Sequence, residues 1–390
     1  MRCIDPAGVL AQLADCVAIP SPTPPGDAAL VADWVQEWAG EMGASTSRQP
    51  VWLGADNVLA TLHFGPGPRL VLNSHMDVVD PSTQIWTRPA YEPSIAGGRM
   101  SGRGTCDAKG SLVAMLAAVE RLAARPAELA GEVVLTAVVG EEAGGLGSLR
   151  LVAEGLTADA AVVGEPTGLH VACAHKGTYM RTLRFAGVAA HSASPWLGRN
   201  AVADAAAFVT ACERESCRLT QLPHPVLGPA TMTVTKLAGG ILQNTVPAEA
   251  VLTVDRRLVP GETHEECDAQ LARMLVELTA ARPGLTIAEP EVIVATVPSE
   301  TRNDEAIVAS ALAGVAAVNR PMERAGGFNG GCDMSKLVGA GIPTVICGPG
   351  NLAQAHGPDE FVDVQEVVDA VSIYEHIARD MLSTRRRSRR

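Results

Sequence analysis

Leu70-Val71-Leu72-Asn73-Ser74-His75-Met76-Asp77 (residues 70–77) runs a short apolar segment straight into a histidine and an aspartate two positions apart. On an extended backbone, side chains two apart point to the same side, so His75 and Asp77 emerge together where the strand ends. An aspartate there can accept the free imidazole N–H, which fixes the tautomer and makes the other ring nitrogen a more basic metal ligand. A surface His-Asp pair is the ordinary alternative.

The same arrangement recurs outward from this stretch. The apolar run at 133–139 leads into Gly140-Glu141-Glu142, and the run at 160–163 into Gly164-Glu165-Pro166. Gly104-Thr105-Cys106-Asp107 directly precedes a helix-like stretch at 112–124. Near the N-terminus, Asp27 is placed to cap a helix whose Leu30, Trp34, Trp38 and Met42 recur every fourth residue, with Val31 and Val35 alongside. Short β-like runs alternating with helices predict an α/β layer fold, in which the carboxyl ends of the strands gather ligand-binding loops. From about residue 177 the pattern becomes α+β, with strand-like runs at 179–185, 231–237 and 251–258 interleaved with helices at 201–214 and 264–279. Beyond about residue 295 come a helix at 304–317, a glycine-rich loop at 326–331, a β run at 344–347, Ala355-His356-Gly357 and a final helix at 367–381. If His356 is to join His75, the C-terminal part must pack on the N-terminal part. The middle then reads as an insertion: 1–176 and 293–384 form the catalytic domain, 177–292 the inserted domain, and 385–390 a disordered basic tail.

At 390 residues the chain calls for two or three domains. Hydrophobic residues make up 47%, yet no apolar run approaches the ~18–20 residues of a membrane span, so a soluble protein is expected. Residues 1–20 carry Asp5 and Asp15 and no continuous apolar core, unlike a signal peptide. Nine cysteines, an odd number without CxxC spacing, indicate neither a disulfide framework nor a zinc knuckle, and point to a reducing, cytoplasmic setting. The net charge of −12 already includes the five arginines of the tail, so the remaining body is more acidic still, which argues against nucleic acid as a partner.

Two imidazoles and several carboxylates form the mixed nitrogen and oxygen set that zinc accepts, and a shared carboxylate can hold two such ions. Adjacent Glu141 and Glu142 would repel each other unless cations or protons compensate. A division of labour resolves this, one binding metal and the other taking a proton from metal-bound water; an exposed acidic turn is the bland alternative. Asp107 can equally be a plain helix cap, Cys106 a ligand or a buried spectator thiol, and His191 a structural histidine. Arg257, in Asp255-Arg256-Arg257, suits a substrate carboxylate or an ion pair with a neighbouring acid.

The motifs SHMDVV (74–79), GRGTCDAKG (102–110), GEE (140–142), GEPTG (164–168), AHSASP (190–195) and GPGNLAQAHGPDEFV (348–362) occur in an order that resembles the M20 metallopeptidase family. Within that family they are most similar to acetylornithine deacetylases and succinyl-diaminopimelate desuccinylase-like enzymes. The resemblance runs from about residue 9 to residue 370. It implies an α/β catalytic domain of the zinc-exopeptidase type with an inserted α+β dimerisation (lid) domain, and a homodimer. It further implies that Asp107 bridges two zinc ions (cobalt or manganese would also fit), with His75 and Glu165 completing one site and Glu142 and His356 the other. Glu141 would be the general base, Asp77 the partner of His75, His191 a stabiliser of the oxyanion, and Asn244 and Arg257 contacts to substrate. The implied reaction is hydrolysis of the amide of an N-acyl amino acid by a metal-bridged water. A dipeptidase or carboxypeptidase of the same family is the alternative, and a non-catalytic homologue is the more distant one. Cys332, where relatives commonly carry Thr or Ser before the aspartate, lies in a loop that faces substrate in those relatives and so leaves the acyl group open.

Overall fold

A computed structural model describes residues 5–23, 26–52 and 54–384, so the expectation for the basic tail at 385–390 lies outside the described residues. The chain forms two compact units. Among the described residues, the first comprises those up to 174, 300–328 and those from 332 onward; the second, inserted between its parts, comprises 175–299 with 329–331. The sheet of the second unit extends past residue 292, because Glu291–Thr296 pairs with Gly177–Ala186 and so remains part of it.

The first unit is built on a mixed sheet whose order runs Ala172–His175, Thr344–Ile346, Ala160–Val163, Arg69–His75, Glu132–Val138, Ala55–His63, Ser45–Trp52. The four central strands from Thr344–Ile346 to Glu132–Val138 are parallel, and the flanking pairs antiparallel. Their composition explains their place. Ala160–Val163 is apolar throughout and buried at every position, as a strand covered on both faces must be. On one face Val71, Val134, Ala161 and Val163 pack with Met334, Leu337 and Ile342. Lys109–Ala124 packs against Arg69–His75, and also against Pro6–Val17 and Val364–Met381.

Two local readings are corrected. In the helix Ala29–Glu41 the buried face is Val31, Ala32, Val35, Trp38 and Ala39, while Leu30 is 67% exposed. Packing against the strand Ala55–His63 selects that narrower stripe. Asp27 accepts the N–H of Ala29 at 2.8 Å, yet the residue preceding the helix is Ala28 and no side chain caps it. Among the described residues no helix is long and apolar enough to cross a membrane.

The second unit is an antiparallel sheet with Thr231–Gly239, Glu249–Leu258 and Gly177–Ala186 side by side, covered by the helix Ala201–Leu219. Alternation along Gly177–Ala186 buries Tyr179, Leu183 and Phe185 on one face. The second helix, His264–Ala281, starts in a reciprocal capping box between Thr263 and Glu266. Phe185 and Phe208 meet in this core with ring centroids 6.2 Å apart, both essentially inaccessible. Phe208→Ala is expected to cost about 3–5 kcal/mol. Hydrogen exchange of the amides in Gly177–Ala186 measures it, and a loss below about 1 kcal/mol would mean the site collapses around the deletion.

Candidate metal centre

The parallel strands deliver their carboxyl ends to one edge of the sheet, and the chemistry gathers there. His75 is the last residue of Arg69–His75, the turn carrying Glu141 and Glu142 follows Glu132–Val138, Glu165 follows Ala160–Val163, and the loop to His356 follows Thr344–Ile346. Two groups of side chains result, one of His75, Asp107 and Glu165 and one of Asp107, Glu142 and His356, in each of which the candidate ligand atoms lie within 4.8 Å of one another. Asp107 belongs to both. Its Oδ1 lies 3.1 Å from His75 Nε2 and its Oδ2 lies 3.3 Å from His356 Nε2. Glu165 Oε1 stands 3.8 Å from His75 Nε2, and Glu142 Oε2 stands 3.2 Å from His356 Nε2.

Backbone geometry sets these positions. Gly102 and Gly104 have φ of +148° and +88°, and a Cβ on either would come within 2.8 Å of a valine methyl, of Val17 and Val78 respectively. A cis peptide bond joins Asp107 to Ala108. Directly beyond, the fully buried Lys109 donates from Nζ to the carbonyls of Cys16 and Ile19 at 3.1 and 2.6 Å, fastening the start of its helix to the N-terminal one.

Asp77 acts on the site differently from the sequence expectation. The Nδ1–H of His75 donates to the main-chain carbonyl of Asp77 at 2.8 Å, with the Asp77 carboxylate 3.7 Å away. That bond turns Nε2 toward Asp107 and Glu165. The carboxylate is left to accept the N–H of Glu141 at 3.3 Å on one oxygen and the N–H of Glu142 at 3.2 Å on the other. It therefore fastens the turn on which both glutamates sit.

Electrostatics reflect the crowding of acids. Burial and the Asp333 charge push Glu141 well above the usual carboxylate range, and burial and Asp107 do the same to Glu165. Burial raises Asp77 to about 6, against the opposing pull of His75 and the two N–H donors. Asp107 is the exception: burial would raise it, but its bonds to His356 and His75 hold it below its ordinary value. For His75, burial alone would lower the pKa; the bond to Asp107 and the charge of Glu165 overcome it and raise it well above normal. Hydrogen bonds to Asp107 and Glu142 raise His356 to about 10.

The donor set fits divalent cations on two observations. Glu142 Oε1 is buried with no hydrogen-bond partner among the described residues, an acceptor that an apolar or neutral site would not leave so. Asp107 offers each oxygen to a separate group completed by one imidazole and one carboxylate, nitrogen and oxygen donors of the kind zinc, cobalt and manganese share.

The candidates His191, Asn244 and Arg257 lie in the second unit, and the cysteines Cys106 and Cys332 in the first. His191 and Asn244 sit on neighbouring exposed loops, where Ser192 N–H donates to the Asn244 carbonyl at 2.9 Å and His191 bridges to Thr245. His191 Nδ1 accepts the N–H of Ala193 at 3.1 Å, so its ring hydrogen in the neutral form is on Nε2. Arg257, on Glu249–Leu258, turns its fork onto Asp255 at 2.9 and 3.0 Å and reaches Thr178 at 3.1 Å, the ion-pair arrangement that its sequence context also allowed. Cys332 does not face a surface: it is 2% exposed and packs among Val71, Val163, Met334 and Leu337, as a small apolar side chain would. Cys106 is likewise buried, its Sγ on the Asn351 carbonyl at 3.4 Å and outside both candidate ligand groups.

Sequence reasoning missed two polar groups. Asp333, 1% exposed, accepts from Ser148 Oγ at 2.7 Å and pairs with Lys336 at 3.5 Å, forming a charged backing to Glu141. Glu360 and Arg103 form the second, with Arg103 Nη1 2.7 Å from Glu360 Oε2. Both residues stood inside the quoted motifs GPGNLAQAHGPDEFV and GRGTCDAKG, but nothing in the sequence joins them.

Comparison with known proteins bears on the fold and the family. The acetylornithine deacetylase of Photorhabdus laumondii is 29% identical over 348 residues, covering 86% of this chain and 85% of its own. Among solved structures, aminopeptidase PepT from Bacillus cereus is similar with a TM-score of 0.81 at 22% identity, over 97% of this chain and 99% of its own. A dinuclear metal binding peptidase of the M20 family from Bacillus subtilis has a TM-score of 0.73 at 16% identity, over 97% and 98% of the two chains. Residues 71–380 match the family model described as peptidase family M20/M25/M40, and the chain belongs to this family of metal-dependent hydrolases.

Proposed function

We propose that the protein is a dizinc amidohydrolase that removes a small acyl group from an N-acyl amino acid. The observation that carries this reading is Asp107, each of whose oxygens faces a different imidazole. Likeness to acetylornithine deacetylase over 86% of the chain supports the substrate class. His75, Asp107 and Glu165 would hold one cation, and Asp107, Glu142 and His356 the other. Two divalent cations there would polarise the scissile carbonyl and acidify water, so that hydrolysis runs near neutral pH.

The protein's own residues do the rest. Glu141, adjacent to a ligand but outside both ligand groups, takes the proton of the attacking water and returns it to the leaving amine. Asp77 keeps Glu141 and Glu142 in register through their N–H groups. His191, with its hydrogen on Nε2, is a donor suited to the oxyanion, reached in a homodimer from the partner subunit. Asn244 and Arg257 contact substrate, Arg257 by exchanging Asp255 for the substrate carboxylate. The edge strand Thr231–Gly239, mostly exposed, and the apolar Ile241 and Leu242 beside it, 98% and 60% exposed, support dimerisation through the second unit. The eight described cysteines are free, which supports a cytoplasmic setting.

The deciding experiment offers the metal-loaded protein N-acetylornithine, other N-acetyl and N-succinyl amino acids, and a dipeptide panel. Turnover of the N-acyl amino acids is expected, abolished by a chelator and restored by zinc or cobalt; turnover of dipeptides alone would replace the deacylase reading with a dipeptidase. Glu141→Ala should lower kcat about 10²- to 10⁴-fold with metal content retained. Equal loss of metal would make Glu141 a ligand instead. Asp77→Ala should weaken cobalt binding about 10- to 100-fold in a titration, since the Glu142 turn loses its anchor. Unchanged affinity would mean the turn holds itself.

A further inference from the structure

Glu360 is a buried carboxylate that the proposed chemistry leaves unused. It is 1% exposed and stands four positions beyond His356. Its Oε1 accepts three main-chain hydrogen bonds, from Gly104 at 3.0 Å, Cys106 at 2.8 Å and Asp107 at 3.0 Å. Oε2 accepts from Arg103 Nη1 at 2.7 Å, and the main-chain carbonyl of Glu360 accepts the N–H of Gly102 at 2.9 Å. Arg103, also 1% exposed, lies 4.9 Å from the centre of the Trp86 ring and uses Nη2 to reach Gln84 Oε1 at 2.7 Å and the His356 carbonyl at 3.3 Å. Gln84 Nε2 donates to that same carbonyl at 2.5 Å.

Two simpler roles fail. Glu360 is not an additional metal ligand, because both oxygens already carry strong donors and it falls outside both ligand groups. It is more than a counter-ion for Arg103, since that task requires no convergence of three N–H groups on the other oxygen. A carboxylate bound by several N–H groups and a guanidinium makes charge-assisted hydrogen bonds, the stronger class, and here they oppose the upward push that burial gives its pKa. What it grips is the loop that most needs gripping. Gly102 and Gly104 give residues 102–107 backbone freedom, yet Asp107 must present one oxygen to each imidazole.

We propose that Glu360 is a positioning residue: answered by Arg103, it locks the 102–107 loop so that Asp107 serves both halves of the site, and ties that lock to the segment carrying His356. The inference rests on the reading of Asp107 as a shared ligand.

Full-length wild type, Glu360→Leu and Glu360→Gln test it by calorimetric titration with Co²⁺ alone and by hydrogen exchange of the peptide covering 102–107 in metal-free protein. Glu360→Leu should weaken Co²⁺ binding more than about 10-fold and speed exchange of the loop amides. Glu360→Gln, whose amide oxygen still accepts the three N–H groups, should lose less than Glu360→Leu in both measurements and still fall measurably below wild type. If Glu360→Leu does not fold, Glu360→Gln decides the matter alone: wild-type affinity and exchange overturn the proposal. A folded Glu360→Leu with wild-type affinity and loop exchange also overturns it while leaving the proposed function standing. Wild type that binds no Co²⁺ removes the proposed function and this inference with it.

Discussion

Sharing one buried carboxylate between two imidazoles is the constraint around which this active edge is arranged. Asp107 is 6% exposed and in contact range of His75 and His356, while Glu142 and Glu165 crowd the same space. Concentrating acids in a place with little water is expensive unless each is answered by a cation, a proton or a fixed dipole. The protein answers them unequally. Asp77 and Glu360 are satisfied by backbone N–H groups, Asp333 by Ser148 and Lys336, and Asp107 by the histidines. Among the described residues Glu142 retains a buried oxygen without a partner, and although burial raises Asp77 and Glu360 as well, it carries Glu141 and Glu165 well above the usual carboxylate range. The acids left unanswered are the ones that metal chemistry would use.

Asp77 and Glu360 thus share one physical device. Each is a carboxylate that spends its charge on main-chain donors of a loop bearing reactive side chains, Asp77 on the Glu141-Glu142 turn and Glu360 on the Asp107 loop. Charge-assisted bonds to backbone leave side chains free for chemistry while fixing their origin. Side-chain partners alone would fix the tips of the ligands and not their roots.

Much of this was legible in the sequence, for identifiable reasons. Apolar runs in the parallel strands end at a glycine before Glu141, Glu142 and Glu165 and lead through Asn73-Ser74 into His75, so these four could be placed at strand ends from local pattern. Local pattern could not assign hydrogen bonds. The His75 to Asp77 relation was visible as a spacing of two, but whether carbonyl or carboxylate accepts depends on where the strand bends. Glu360 bonds to Asp107 across 253 residues, a pairing no periodicity encodes. Leu30 went astray for a related reason: the face a helix buries is set by neighbours distant in sequence.

The order of the chain has a consequence for how the site comes into being. His75, Asp107, Glu142 and Glu165 all precede the inserted unit, whereas His356, Glu360 and the strand Thr344–Ile346 follow it. During synthesis the emerging chain therefore carries one complete ligand group, His75 with Asp107 and Glu165, long before the other has its histidine. A cation captured early would meet a loop whose lock had not yet been made. His356 and Glu360 stand four residues apart, so the second histidine and the carboxylate proposed to lock the Asp107 loop become available together, after the whole inserted unit has been made.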